Sequence, residues 1–480
     1  MKNYSEFKSV FDNRKTNNKT IKEILSELSV GNLNNKEIIS IANNILLAKD
    51  KTDEDIEFLF SKLNNQTLSS YILYNNKKQK LNLSTEQIMS VLEKSDLSLI
   101  GDNGLTLSMD LFLNNKEQNL NLSPKQIMAV IEKSNLSIQD YNGNCLTIYA
   151  LVYKEKLNLS PEHIMSIIEK SNLSIQDNKK DTIPTYLIKT NQTLKINLTA
   201  EQITKILEKS NLSIKDKNGW TAPICLLLNN KDQNLKFTPK QILSIIEKSD
   251  LSLQANQFET LPMFLLLNNK TQNLNLSPEQ IMAVLEKSDL SIQDKNGWIL
   301  PMALLKYNKS QNLNLSTKQI VTILEKTNLS IQDDFRRSTP MYLFFYNKEQ
   351  NLNLSSDQIM SIIKKSKLSK KDPYGWMMPM YILQHNRNQN INLSPEQIMS
   401  VIEKSNISSL NDTFITMFLN EIGNQFDMSN KKLYKTIDSF NTNIKEISPK
   451  NQEKINRILL YYNTEKNIKK KQKSKTIFKL

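Results

Sequence analysis

The chain has 480 residues, is 39% hydrophobic and 23% charged, and carries a formal net charge of +14. That balance suits a folded protein rather than a disordered one, while only eight glycines argue against glycine-rich phosphate loops and a turn-dense β architecture. The charge is a weak nucleic-acid signal, because seven lysines lie between Lys466 and Lys479 with no acid among them, and the rest of the chain carries only the other +7.

The opening stretch, MKNYSEFKSVFDNRKTNNKT, has no apolar run to serve as a secretory signal. Further on, no run reaches the ~18 apolar residues that a membrane-spanning helix needs. IKEILSEL and DEDIEFLFSKL read as helical segments, so residues 1–65 are predicted to be an N-terminal helical cap.

Repetition dominates residues 66–430. A Gln-Ile dipeptide (His-Ile in one copy) recurs from Gln87-Ile88 to Gln397-Ile398, with seven spacings of 39 residues and one of 37. The short spacing falls where LVYKEKLNLS (Leu151–Ser160) lacks two residues, which marks a loop. In each copy a stretch such as SPEQIM starts a helix: Ser277 caps, Pro278 takes the first helical position, and Gln280 reaches back. Ile281, Met282, Val284 and Leu285 then form an apolar stripe, and Glu286 and Lys287 face outward. A second apolar block, such as APICLLLNN or TPMYLFFYN, predicts a helix of two to three turns. Between the two lies QDKNGW, whose Asn-Gly is a turn signal. One such helix pair cannot bury its own apolar face, whereas stacked copies bury a continuous core.

The pattern decays after Ser405. ITMFLNEI and SNKKLYKTIDSF form a last degenerate pair, and SPKNQEKINRILLYY a closing helix. Residues 431–465 are therefore predicted to be a C-terminal helical cap, and 466–480 a disordered basic tail.

These copies resemble ankyrin repeats. KDKNGWTAPICLLL matches the first half of that pattern at Asp216, Gly219 and Pro223, IMAVLEKSDLSIQD its second helix and return, and STPMYL its Thr-Pro-Leu-His. The period exceeds the family's usual 33, chiefly through NNKxQNLNLS between the helices. Glycine is kept at five turns: Gly104, Gly143, Gly219, Gly297 and Gly375. The expected fold is all-α, an α-solenoid of stacked helix pairs, ankyrin-like with long loops and few or no β-hairpins. A HEAT or armadillo arrangement, with a period of ~40–47 residues, is the other solution.

The resemblance implies a non-enzymatic scaffold that binds another protein. An A/T-biased composition with such arrays resembles proteins of host-dependent bacteria. The expected location is thus cytoplasmic, or a host cell reached without an N-terminal signal peptide, and the partner a producer or host protein. Chemistry-bearing residues are sparse. His163 stands where other copies have the capping Gln, His385 lies over two hundred residues away, and Cys145 and Cys225 read as small core residues suited to a reducing compartment. No catalytic group, metal site or cofactor is predicted. Trp220, Trp298 and Trp376 follow the turn glycine at spacings of 78, twice the period, with Glu259 and Arg337 at the intervening copies. In ankyrin repeats that position is variable and partner-facing, which makes these three the candidate partner-binding residues, exposed along one edge if they face a partner; the other reading is a duplicated tryptophan packed over the neighbouring turn. The alternative function is polyanion or nucleic-acid binding through the basic surface and the tail lysines Lys469, Lys470, Lys471, Lys473 and Lys475.

Overall fold

The computed structural model describes residues 1, 3–63, 66–101, 103–368, 370–428, 430–444 and 446–477, and the side chains of 66–67, 409 and 469–477 lie outside that description. The chain forms two compact units, Met1–Lys236 and Phe237–Leu480.

In both units helices pair along the chain, and most pack on the helix two places further on, which gives two layers. In the first unit, Gln66–Asn75, Leu107–Asn114 and Leu146–Tyr153 pack in succession, as do Ile183–Thr190 and Ala222–Asn229. These are the first helices of the repeats. The second helices form the other layer, with Thr85–Lys94 beside Pro124–Lys133 and Pro161–Glu169 beside Ala200–Glu208. The same layering runs through the N-terminal segment, where Tyr4–Asp12 packs on Asn35–Leu46 and Ile21–Ser26 on Asp53–Lys62. In the second unit the first helices Leu261–Asn268, Leu300–Tyr307, Thr339–Tyr346, Met378–His385 and Asp412–Asn420 follow one another. Pro239–Glu247, Pro278–Lys287, Thr317–Lys326 and Ser356–Lys364 form their partner layer. Pro449–Ile477 packs on Asp412–Asn420 and Lys431–Asn443, and its backbone stays helical into the lysine-rich segment.

Second helices start on the caps that their sequences encode. The Gln280 N–H donates to the Ser277 hydroxyl at 3.3 Å, and the Ser277 N–H donates to the Gln280 side-chain carbonyl at 2.9 Å. Such a cap contributes about 1 kcal/mol. His163 plays the glutamine's part in its copy, its Nδ1 accepting the Ser160 N–H at 3.1 Å. First helices are buried around most of their circumference: Leu300, Met302, Ala303, Leu304 and Leu305 are all inaccessible, because neighbours cover both sides and the second layer covers a third. Cys145 and Cys225 lie in this layer, free and buried. Among the described residues there is no β-strand; isolated antiparallel bridges such as Gln139–Cys145 and Gln254–Thr260 close the turns.

The long loop between the two helices makes its bends with asparagine. Asn273 and Asn275 are left-handed (φ 52° and 53°), and Leu274 and Leu276 beside them are buried. Asparagine tolerates this conformation better than most residues with a Cβ, which is how a chain with eight glycines turns so often. The trimmed copy keeps one such residue, Asn158 (φ 53°), between buried Leu157 and Leu159.

A buried asparagine at the end of most first helices ties this loop down, with Lys154 in its place in the trimmed copy. The Oδ1 atoms of Asn76, Asn115, Asn191, Asn308 and Asn386 accept the N–H of the leucine seven residues on, at 2.8–3.0 Å. The amide of Asn347 also reaches the next repeat, donating to the Gln389 carbonyl at 3.1 Å, and the Gln389 side-chain carbonyl accepts the N–H groups of Lys348 and Glu349. Gln350 completes the same exchange with Asn308, Lys309 and Ser310. The NNKxQ segment that lengthens the repeat beyond 33 residues is therefore an inter-repeat hydrogen-bond ladder.

Candidate functional site

The turns and the exposed side of the first helices carry the candidate residues. Most of these turns are organised by one carboxylate, although Gly101 and Ala255 hold its place in two copies. Asp372 Oδ1 accepts the N–H groups of Tyr374 and Trp376 at 2.8 and 2.7 Å, and Asp216 and Asp294 repeat this pattern with Trp220 and Trp298. The position before the tryptophan is left-handed, with glycine at Gly297 (φ 74°) and Arg336, Lys180 or Phe258 where glycine is missing. At Gly297 a Cβ would also meet Asp333 Cα of the next turn at 2.9 Å, so the glycine serves close packing as well as backbone freedom.

Turns join one another within each unit. The N–H of Asp334 donates to the Asn296 carbonyl at 3.0 Å, and that of Asn178 to the Asn142 carbonyl at 3.0 Å. Gln293 adds a side-chain link, its amide donating to Gly297 O at 2.7 Å and to Gln332 O at 3.0 Å; Gln176 and Gln254 do likewise. The candidate face is thus mounted on a hydrogen-bonded frame.

The three tryptophans are half-buried, between the exposed and the packed arrangements that the sequence leaves open. With its N–H fixed on the turn carboxylate, each indole lies back over first-helix side chains. Trp298 packs edge-to-face on Tyr342 of the following repeat (5.1 Å between centroids) and Trp376 on Tyr381 of its own (5.5 Å). Trp220 faces the Lys189 ammonium at 5.9 Å, and that lysine bridges Asp181 and Asp216 at 2.6 and 2.5 Å.

In the second unit these rings join a larger aromatic row. Phe345 meets Tyr381 and His385 edge-on at 5.4 and 5.2 Å, and Tyr342 stacks with Tyr346 at 6.0 Å. Burial holds His385 below the usual histidine range. Two cations lie on the rings: Lys306 Nζ is 4.6 Å from Trp298 and 5.1 Å from Tyr307, and Arg337 Cζ is 4.8 Å from Phe335 and 5.8 Å from Phe345. Exposed aromatics stand at four turn tips: Tyr141, Phe258, Phe335 and Tyr374, the last with 76% of its surface accessible. Sequence reasoning missed these four. The signal that marks them is a large aromatic ring inside an otherwise polar turn.

Tyrosine–aspartate pairs in both units lock helix to turn, or, for Tyr74 and Asp110, helix to helix. The hydroxyls of Tyr149, Tyr342 and Tyr381 donate to Asp140, Asp333 and Asp372 at 2.8, 2.5 and 2.6 Å, and that of Tyr74 to Asp110 at 2.6 Å. Burial, and then the bonded carboxylate, raise all four phenols above their ordinary value, Tyr74 to about 12. Because the folded values exceed the unfolded value of about 10, their stabilisation is complete below about pH 10 and is lost as pH rises toward and through the folded values. The urea midpoint should therefore fall between about pH 9 and 11, and fall less in Tyr342→Phe/Tyr381→Phe. Equal slopes for the two proteins would remove these pairs as the cause.

Among the described residues, no group of three or more His, Cys, Asp or Glu is placed to hold a metal ion, and no helix is long and apolar enough to cross a membrane. The side chains of Lys469, Lys470, Lys471, Lys473 and Lys475 lie outside the described residues.

No family model matches the chain, and no curated protein matches it. Solved structures give a distant resemblance to ankyrin-type helical repeats. The ankyrin repeat protein EF0377 aligns at 16% identity and a TM-score of 0.31, over 46% of this chain and 98% of that one. The ankyrin repeat domain of Bcl-3, a member of the IkappaB family, aligns at 9% identity and 0.26, over 62% and 97%. A chain from the complex of the Bd0816 predatory endopeptidase of Bdellovibrio bacteriovorus with immunity protein Bd3460 aligns at 16% and 0.28, over 46% and 97%. No site residue is carried over from them.

Proposed function

We propose that the chain is a non-enzymatic scaffold that binds another protein through its turns and the exposed side of its first helices. One observation carries this reading: half-exposed tryptophan, tyrosine and phenylalanine rings stand in repeat register on a frame whose backbone is tied from turn to turn. Rigid aromatic side chains add contact area at small entropic cost and are enriched among residues that dominate binding energy. Trp220, Trp298 and Trp376 remain the proposed partner-binding residues, joined by the exposed Tyr141 in the first unit and by Phe335 and Tyr374 in the second. Their half-burial gives the indoles fixed orientations.

The test uses the intact chain as bait in extracts of the producing cell and of a candidate host. A partner captured by the wild type should bind the Trp220→Ala/Trp298→Ala/Trp376→Ala protein more weakly by about 2 kcal/mol or more, about thirtyfold. Binding is measured well below the melting temperature, because half-buried indoles also contribute to stability. Unchanged affinity in a folded triple variant would defeat the assignment. Deleting residues 466–480 should leave this binding intact, whereas polyanion binding driven by the tail lysines would disappear with it.

A further inference from the structure

We infer that the first unit carries a soft joint at the trimmed copy, where the stack of repeats opens along its loop edge while its turn edge holds. Such a joint belongs to the fold and does not depend on what the turn face binds. It shows first in the ladder of the inserted segment. At an intact junction one glutamine side chain accepts two backbone N–H groups of the preceding loop. Gln233 takes those of Gln192 and Thr193 at 3.2 and 3.4 Å, and Gln350 those of Lys309 and Ser310 at 3.2 and 3.1 Å. The glutamine's own N–H donates to the carbonyl four residues back, Gln350 to Tyr346 at 2.9 Å. Leu157 and Leu194 make that same bond, to Tyr153 and Thr190 at 3.0 and 2.9 Å. Two successive junctions therefore hold leucine at the glutamine's place, and its side chain has no acceptor to offer.

What the loops offer instead is ionic. Lys156 Nζ meets Glu117 at 2.7 Å across the first of these junctions, whereas Lys154 pairs with its own neighbour Glu155 at 2.9 Å. The Lys156–Glu117 pair is exposed, so water and salt screen it and it ties its partners weakly. Across the second junction, no hydrogen bond or ion pair joins the two loops among the described residues.

Helix packing lapses at the same place. Successive first helices of this unit pack closely from Gln66–Asn75 to Leu146–Tyr153, and Ile183–Thr190 packs on Ala222–Asn229, but close packing lapses between Leu146–Tyr153 and Ile183–Thr190. In the second layer the lapse falls between Pro124–Lys133 and Pro161–Glu169. The two lapses meet at the trimmed loop, which joins Leu146–Tyr153 to Pro161–Glu169. The turn edge differs. Asn178 donates its N–H to the Asn142 carbonyl and its side-chain amide to the Tyr141 carbonyl, both at 3.0 Å, and the Gln139 amide reaches the Gln176 carbonyl at 2.8 Å. One tied edge beside one untied edge makes a hinge, and sparse packing with solvated backbone marks the parts of a fold that open first. Opening tilts the turn of Tyr141 against that of Trp220.

Hydrogen exchange of the full chain, read by mass spectrometry on peptic fragments, tests the joint. After correction for intrinsic rates, amides of Leu146–Tyr153 and Ile183–Thr190 should exchange through an opening about tenfold more populated than that of Leu300–Tyr307 and Thr339–Tyr346. Leu194 is only partly buried, so Leu194→Gln restores an acceptor to the second junction without disturbing the core, and should lower that opening about threefold. Gln350→Leu takes the acceptor from an intact junction and should raise the opening of Leu300–Tyr307 and Thr339–Tyr346 by a similar factor. Equal protection of the two pairs of helices in the wild type, a comparison that needs no variant, overturns the inference. So does a Leu194→Gln chain with the circular dichroism of the wild type and unchanged exchange in Leu146–Tyr153.

Discussion

Asn347→Ala should cost the chain about 2–4 kcal/mol, a large effect for one polar side chain. Asn347 is 2% exposed, and its side chain accepts one hydrogen bond and donates to two carbonyls, those of Gln389 and, at 3.3 Å, Asn390. Its Oδ1 accepts the Leu354 N–H at 3.0 Å, where Leu354 is itself buried, and its amide donates to the Gln389 carbonyl of the next repeat at 3.1 Å. Truncation strands a buried donor and a carbonyl, at about 1–3 kcal/mol each. Urea denaturation of the full chain measures the loss. Asn347→Asp should cost still more, since it keeps the acceptor, removes the donor and buries a charge. A loss below about 0.5 kcal/mol for the alanine variant would show that the ladder has no share in stability.

The second large effect is a coupled one. Asp333→Ala should cost about 2–4 kcal/mol, because it removes the acceptor of the Arg337 N–H at 2.7 Å and leaves the Tyr342 hydroxyl, 1% exposed as a residue, without one. Tyr342→Phe alone should cost about 1–3 kcal/mol, since it takes a donor from a buried carboxylate. The double variant should cost distinctly less than their sum. The chain itself supplies the reason: one repeat carries Ala255 and Phe264 at these two positions, both buried, and still closes its turn through the Phe258 N–H to the Ala255 carbonyl at 2.9 Å. A double-mutant cycle gives the interaction energy, expected between about 0.5 and 3 kcal/mol. Strict additivity would show that the hydroxyl–carboxylate bond does not tie helix to turn.

The two substitutions also separate what was legible in the sequence from what was not. The helix starts were legible, because a capping Ser277 and its Gln280 are three residues apart and their bonds form wherever the chain turns helical. His163 as a cap partner and Cys145 and Cys225 as core followed from repeat position alone. The insertion after each first helix showed only as extra length, since the partners of Asn347 and Gln389 are about forty residues apart and no local pattern pairs them. The tryptophans stood out by their alternating position, but the sequence left open whether they are exposed or packed over a neighbour. Trp298 is covered by Tyr342, a residue of the following repeat.

By itself, then, the sequence determined the period, the all-α character, the two helices of each unit and the stripe each one buries. Those properties depend on interactions within about four residues, where capping and amphipathic spacing act. Only the tertiary structure decided which polar side chains bridge repeats and which asparagines take left-handed bends. It also decided how far the indoles sink and where Lys306 and Arg337 come to lie. Each of these depends on a neighbour about forty residues away, brought within hydrogen-bond or ring-contact distance when the repeats stack and bury their shared core.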